Sequence, residues 1–165
     1  MAELTVLESK LGEVMGLAMA AQGATEKVAK LVEEEGDGEL LQTLEQMRRE
    51  AEETEQRCLE RADQFDGKKT AILEKAREVK QEATQMMRTY LGNDADALDG
   101  FEFLTMAEAG EAGHWSIVEV LAQRARDART STLAAWAKPI QERHFQGVKE
   151  GSLKLAGSED PNAVE

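Results

Sequence analysis

Apolar residues recur at steps of three and four along nearly the whole chain, the spacing that places them on one face of an α-helix. The first run reads Leu4, Leu7, Leu11, Val14, Ala18, Ala21, Val28 and Leu31, with one polar gap at Thr25. It stops at Glu33-Glu34-Glu35-Gly36-Asp37-Gly38, whose glycines predict a helix C-cap and a turn. A second run, Leu40, Leu44, Met47, Ala51, Thr54, Cys58, Ala62 and Phe65, ends at Asp66-Gly67. The short link between the two predicts an antiparallel helical hairpin. A third, more polar helix is expected over about 69–91, with Ile72, Ala76, Val79, Ala83, Met86 or Met87 and Tyr90 as its thin apolar line. The fourth opens near Asp99 and carries Phe101, Leu104, Ala107 or Glu108, Glu111, Trp115, Val118 and Leu121 or Ala122. Thr130 or Ser131 is expected to cap the last helix, whose stripe is Leu133, Trp136, Ile140, His144, Val148, Gly151 and Leu155. Pro139 lies inside that helix, removes one backbone hydrogen bond and predicts a kink.

Four long amphipathic helices and one polar connector predict an all-α four-helix bundle. The connector stands where a bundle with parallel inner helices needs a long crossover, which favours a ferritin-like arrangement over simple up-down-up-down order. The bundle is expected over 1–156, with 157–165 a flexible acidic tail. Composition narrows function more than fold. The chain has 20 Lys+Arg against 33 Asp+Glu, a net charge of −13, so no basic surface is available for nucleic acid or an anionic membrane. No run approaches the roughly 20 apolar residues that cross a bilayer, and Met1-Ala2-Glu3-Leu4-Thr5 has no basic leader. The single Cys58 leaves no internal disulfide to form, so a reducing cytoplasm is the expectation. There is no nucleophile elbow and no phosphate loop.

Chemistry is therefore sought where ionisable residues intrude on the apolar stripes. Glu108, Glu111, His114 and Trp115 lie at steps of three and four, and Glu111-Ala-Gly-His114 is an E-x-x-H with both side chains on one helical face. Small neighbours (Ala109, Gly110, Ala112 and Gly113) leave room for ions or water among the carboxylates. Glu52 and Glu55 are three apart on the second helix, and Gln141, Glu142 and His144 follow Pro139 on the last. Both histidines of the chain thus fall at similar depth, each beside a Glu. Carboxylates that bridge cations and imidazoles that cap them are the inventory of a metal pair held inside a bundle. On this reading Glu111, His114, Glu142 and His144 face one another in the interior. The competing reading keeps the same residues as solvated faces and a structural polar network.

The stretch Glu52-Glu53-Thr54-Glu55-Gln56, followed by arginine, resembles the second helix of small bacterial ferritin-like stress proteins, the YciF-like family. Met106 to Ser116 is similar to that family's third bundle helix, and Ile140-Gln141-Glu142-Arg143-His144-Phe145 to its last. The likeness runs from about residue 4 to 155 and is one of superfamily. It implies a dimetal carboxylate site, with iron as the metal and manganese or zinc as alternatives. Position by position, Glu52, Glu55, Glu108, Glu111 and Glu142 match the family's ligands, and His114 and His144 are additional candidates. The pattern departs where Gln22, Glu55 and Gln141 stand for a Glu, a His and a carboxylate, so the resemblance also allows a degenerate site without metal. What it implies is iron handling or oxidative-stress defence, as a ferroxidase or peroxide-scavenging oxidoreductase. The alternative is a non-catalytic helical bundle that dimerises. Metal ions and a homodimer or higher homo-oligomer are the expected partners.

Overall fold

The computed structural model describes residues 2–164; Met1 and Glu165, the outer ends of the expected bundle and tail, lie outside the described residues. It is 83% helical, with no strand among the described residues. The helices are α1 (Val6–Glu35), α2 (Gly38–Asp63), α3 (Lys69–Tyr90), α4 (Ala97–Arg124) and α5 (Ala128–Ala156). Among the described residues no helix is long and apolar enough to cross a membrane.

Side-chain oxygens near the helix starts explain the boundaries, because the first N–H groups of a helix have no partner within it. Thr5 and Glu8 form a capping box on α1, and Asp96 and Asp99 form another on α4. Asp99 is therefore the third residue of α4 rather than its start. Asp127, not Thr130 or Ser131, caps α5, accepting from the Thr130 backbone N–H at 2.9 Å. Gly36 ends α1 at φ 74°, a left-handed conformation that glycine adopts without a Cβ penalty, and Asp37 at once caps α2. Helix α5 continues through Pro139 to Ala156.

Two hairpins make the bundle: α1 with α2, and α4 with α5. Contacts between them fix the directions. Gly100 of α4 sits against Val28 and Leu31 near the end of α1, and Gly151 near the end of α5 sits against Leu40 at the start of α2. The pairs α1/α4 and α2/α5 are therefore antiparallel, and α2 and α4 run parallel. Helix α3 returns the chain along the outside of α1 to make that possible. Arg61 pins the far end of α2 to the start of α5, donating to Thr130 Oγ1 and Asp127 Oδ2, each at 2.8 Å, while its guanidinium stacks on Phe65.

Helix α3 buries only Ala71, Ile72 and Ala76, so its attachment depends on close approach. A Cβ on Gly16 would lie 2.4 Å from the Ala76 carbonyl oxygen and 2.8 Å from the Val79 Cβ. A methyl there must push two helices apart.

Along α5 the buried line is Thr130, Ala134, Ala137, Gln141, His144, Val148, Gly151 and Leu155. The small residues, not Leu133, Trp136 and Ile140, face inward over its first half. Trp136 lies at the edge, its ring 4.2 Å below the Arg57 guanidinium. Close packing of α4 on α5 leaves no space for the indole inside.

Gly16→Ala adds helix propensity worth up to about 1 kcal/mol but introduces overpacking that typically costs about 1–3 kcal/mol. The expected net result is a lower melting temperature by calorimetry. Residues 156–164 are all exposed. Truncation after Ala156 is therefore expected to leave the melting temperature within about 2 °C, less than the shift from 1 kcal/mol in a chain of this size.

Candidate functional site

Two apolar lobes fill the bundle. One gathers Leu11, Val14, Met15, Ile72, Trp115 and Val118; the other gathers Val28, Leu40, Leu44, Phe101, Leu104 and Val148. Between them the stripes of α4 and α5 turn polar. Glu108 and Glu111 are 1% and 4% exposed, and Gln141 and His144 are 1% and 4% exposed. Each pair is three residues apart on its helix, so both members point inward. His144 Nδ1 lies 3.4 Å from Glu108 Oε2. In an antiparallel pair, three residues on from Glu108 and three back from His144 place Glu111 level with Gln141.

Helices α1 and α2 answer with small side chains: Ala18, Ala21 and Thr25 on one, Ala51 and Thr54 on the other. Both threonine hydroxyls donate to carbonyls of their own helices, Thr25 to Ala21 and Thr54 to Glu50. The fully buried acidic and imidazole groups of the layer therefore come from one hairpin, and α2 adds half-buried carboxylates at its rim. Glu50, half-buried on α2, pairs with Arg143 and sits 3.4 Å from His144 Nε2. Glu55 is half-buried at the flank, where Gln22 Nε2 donates to its Oε2 at 2.5 Å.

The layer is under-bonded. Glu108 Oε2, Glu111 Oε2, Gln141 Oε1, His144 Nε2 and the Trp115 indole N–H are all buried without a hydrogen-bond partner. The two contacts of His144 at 3.4 Å are close enough for ion pairing but lack hydrogen-bond alignment. A buried polar atom left unpaired costs about 1–3 kcal/mol, so these groups call for a partner from outside the chain. Burial first, and the neighbouring Glu108 second, hold the Glu111 carboxyl well above its ordinary range. The Cys58 thiol is also pushed up, by burial and then by Glu55 and Glu111, so it is an inert core residue.

Of the seven residues singled out by sequence, Glu108, Glu111 and His144 are buried in the interior, Glu108 and His144 within 3.4 Å of each other, and Glu55 stands at the edge. The other three turn away. Glu52 is exposed beside Arg48, at 3.8 Å. Glu142 is exposed, one residue and about 100° past the buried Gln141. His114 is 39% exposed and its Nδ1 donates to the Gly110 carbonyl at 2.8 Å, while Nε2 lies 3.8 Å from Glu13. The inward line of α4 is Glu108, Glu111, Trp115 and Val118, and His114 falls just off it. The expectation that Glu111, His114, Glu142 and His144 face one another thus fails for His114 and Glu142. Glu50 is not among the seven; its position one turn before the buried Thr54 is the sequence signal that marks it.

Among the described residues no group of three His, Cys, Asp or Glu side chains is arranged to hold a metal ion as it stands. The layer is approached from two sides. A cavity of about 190 Å³ between α2 and α5 reaches Glu50 and His144, and another between α1, α3 and α4 reaches Glu111.

The raised Glu111 carboxyl has a sign that can be checked. The folded chain retains a proton that the unfolded chain releases near the ordinary value of 4.5, so stability falls as pH rises from there. Glu111→Gln removes this penalty. In metal-free protein the variant is expected to be more stable than the parent at pH 7, with the difference vanishing toward pH 4, by urea unfolding at each pH. Parallel pH curves for the two proteins contradict it. No family model matches the chain, and no curated protein or solved structure matches it either.

Proposed function

We propose that the protein is a ferritin-like metal-binding bundle whose carboxylate and histidine side chains take a divalent transition ion between α4 and α5. The observation that carries this reading is the set of unpartnered buried atoms on Glu108, Glu111, Gln141 and His144. Buried polar atoms pair with protein, ordered water or an ion, and the donor types gathered here favour the ion. Two carboxylates, an imidazole and an amide oxygen are donors that suit iron, manganese or zinc. Among the described residues no three of the acidic and imidazole side chains are placed to hold an ion as they stand, so closing the set requires side-chain movement.

The donor set suits one ion better than two. A pair of ions draws carboxylates from all four helices, whereas Ala18, Ala21, Ala51 and Thr54 stand opposite the layer. A second ion would have to draw Glu55 from Gln22, or Glu50 from Arg143. Such an ion supplies the redox or Lewis-acid chemistry of iron handling and peroxide defence. The crossover helix and the parallel α2 and α4 support the ferritin-like assignment. The second reading, a non-catalytic bundle with a degenerate site, is favoured by the alanines and threonines that face the layer from α1 and α2.

Thermal unfolding of tag-free, EDTA-treated protein separates the two. Iron(II), manganese(II) or zinc at about 100 times its dissociation constant stabilises the native state by about 2.7 kcal/mol, equivalent to roughly 5–10 °C here. Magnesium is expected to do much less. Glu108→Gln or His144→Asn should abolish the shift, whereas Glu142→Gln, His114→Gln and the exposed Glu34→Gln should leave it intact. No metal-dependent shift in the parent protein selects the degenerate-site reading.

A further inference from the structure

A cavity of about 230 Å³ lies between α1, α3 and α4, on the α3 side of the polar layer. Alanines of α1 leave the space, and Met86, Met87, Phe103 and Met106 wall it. Its polar side chains are Thr84, His114 and Glu111. Glu111 is 4% exposed; its Oε2 is sealed in the polar layer without a hydrogen-bond partner, and the residue lines the cavity with the rest of its side chain. Met86 and Met106, 61% and 49% exposed, stand at the surface end.

We propose that this cavity binds a small uncharged apolar molecule with one hydroxyl group, a phenol or medium-chain alcohol, whose hydroxyl bonds to Glu111. Size sets the upper bound: an apolar protein cavity of about 150 Å³ holds benzene, so this one takes a ring and a few further atoms. The wall chemistry excludes a ligand with several polar groups, since each would lose its water without finding a partner. Methionine thioethers on flexible stems adapt to an irregular apolar surface. A hydroxyl both donates and accepts, so it pairs with a carboxyl whichever protonation state that carboxyl holds. The inference stands on the cavity and on the Glu111 carboxyl that lines it, and shares only Glu111 with the metal reading.

The test uses the full chain with 13C-methyl-labelled methionine, in EDTA, titrated with p-cresol and followed by NMR. Saturable shifts are expected for the methyls of Met86, Met87 and Met106, but not for the core residues Met15 and Met47. Gly110 lines the cavity, and a Cβ there meets nothing within 4 Å. Gly110→Leu is therefore expected to fold, fill the space and abolish the shifts. Toluene should bind about tenfold more weakly than p-cresol, the loss of one hydrogen bond. Glu111→Leu should lose the same factor for p-cresol, and Glu111→Gln should restore it. Absence of saturable shifts, their persistence in Gly110→Leu, equal binding of toluene, or tighter binding of benzylamine overturns the proposal. A chain that binds p-cresol but no metal overturns only the metal reading. One that binds metal but not p-cresol overturns only this one.

Discussion

The constraint that the rest of this bundle must accommodate is the polar layer left incomplete at its middle. Glu108, Glu111, Gln141 and His144 lie in a buried layer between two apolar lobes, with more buried polar atoms than partners within the chain. The lobes on either side must therefore hold the helices in register against a layer that does not hold itself. Buried polar groups without partners are the local inconsistency on which the proposed metal site rests.

The two hairpins contribute unequally to this layer. Helices α4 and α5 supply its acid, amide and imidazole groups, while α1 and α2 bring alanine, threonine and Cys58 to the same depth. Small side chains opposite large polar ones keep the packing dense without adding charge. Only Glu50 and Glu55 of α2 approach, and each is engaged elsewhere, by Arg143 and by Gln22. Helix α3, brought close by Gly12 and Gly16, adds little to the core. Its place beside α1 leaves the apolar cavity that ends on Glu111.

The candidate site was partly legible, and the reason is angular. A helix advances about 100° per residue, so a stripe read one position off exchanges an inward side chain for a flank. On α4 the apolar anchors Phe101, Leu104, Trp115 and Val118 bracket Glu108 and Glu111 closely enough to fix both as inward. The same anchors place His114 aside, but the E-x-x-H pattern draws attention to it because its spacing suits a metal. On α5 the large residues Trp136 and Ile140 mislead, since size is no guide to burial where two helices pack tightly. Once the small residues Ala134 and Ala137 are recognised as the inner line, Gln141 replaces Glu142 beside His144.

Local chemistry determined much of this protein from its sequence: five helices, the Gly36 C-cap, the short hairpin links and the polar third helix that carries the chain back. These follow from hydrophobic period and backbone preference, which act over a few residues. The tertiary structure alone decided which carboxylates share a buried layer, that Arg61 reaches Asp127 and Thr130, and that Gln22 takes Glu55. It also decided that α1 and α2 meet the acidic layer with alanine and threonine. Those outcomes depend on the rotation and axial register of helices far apart in the chain. Rotation and register are settled by side-chain volume at the contacts, a property of pairs of helices that no single stretch of sequence carries.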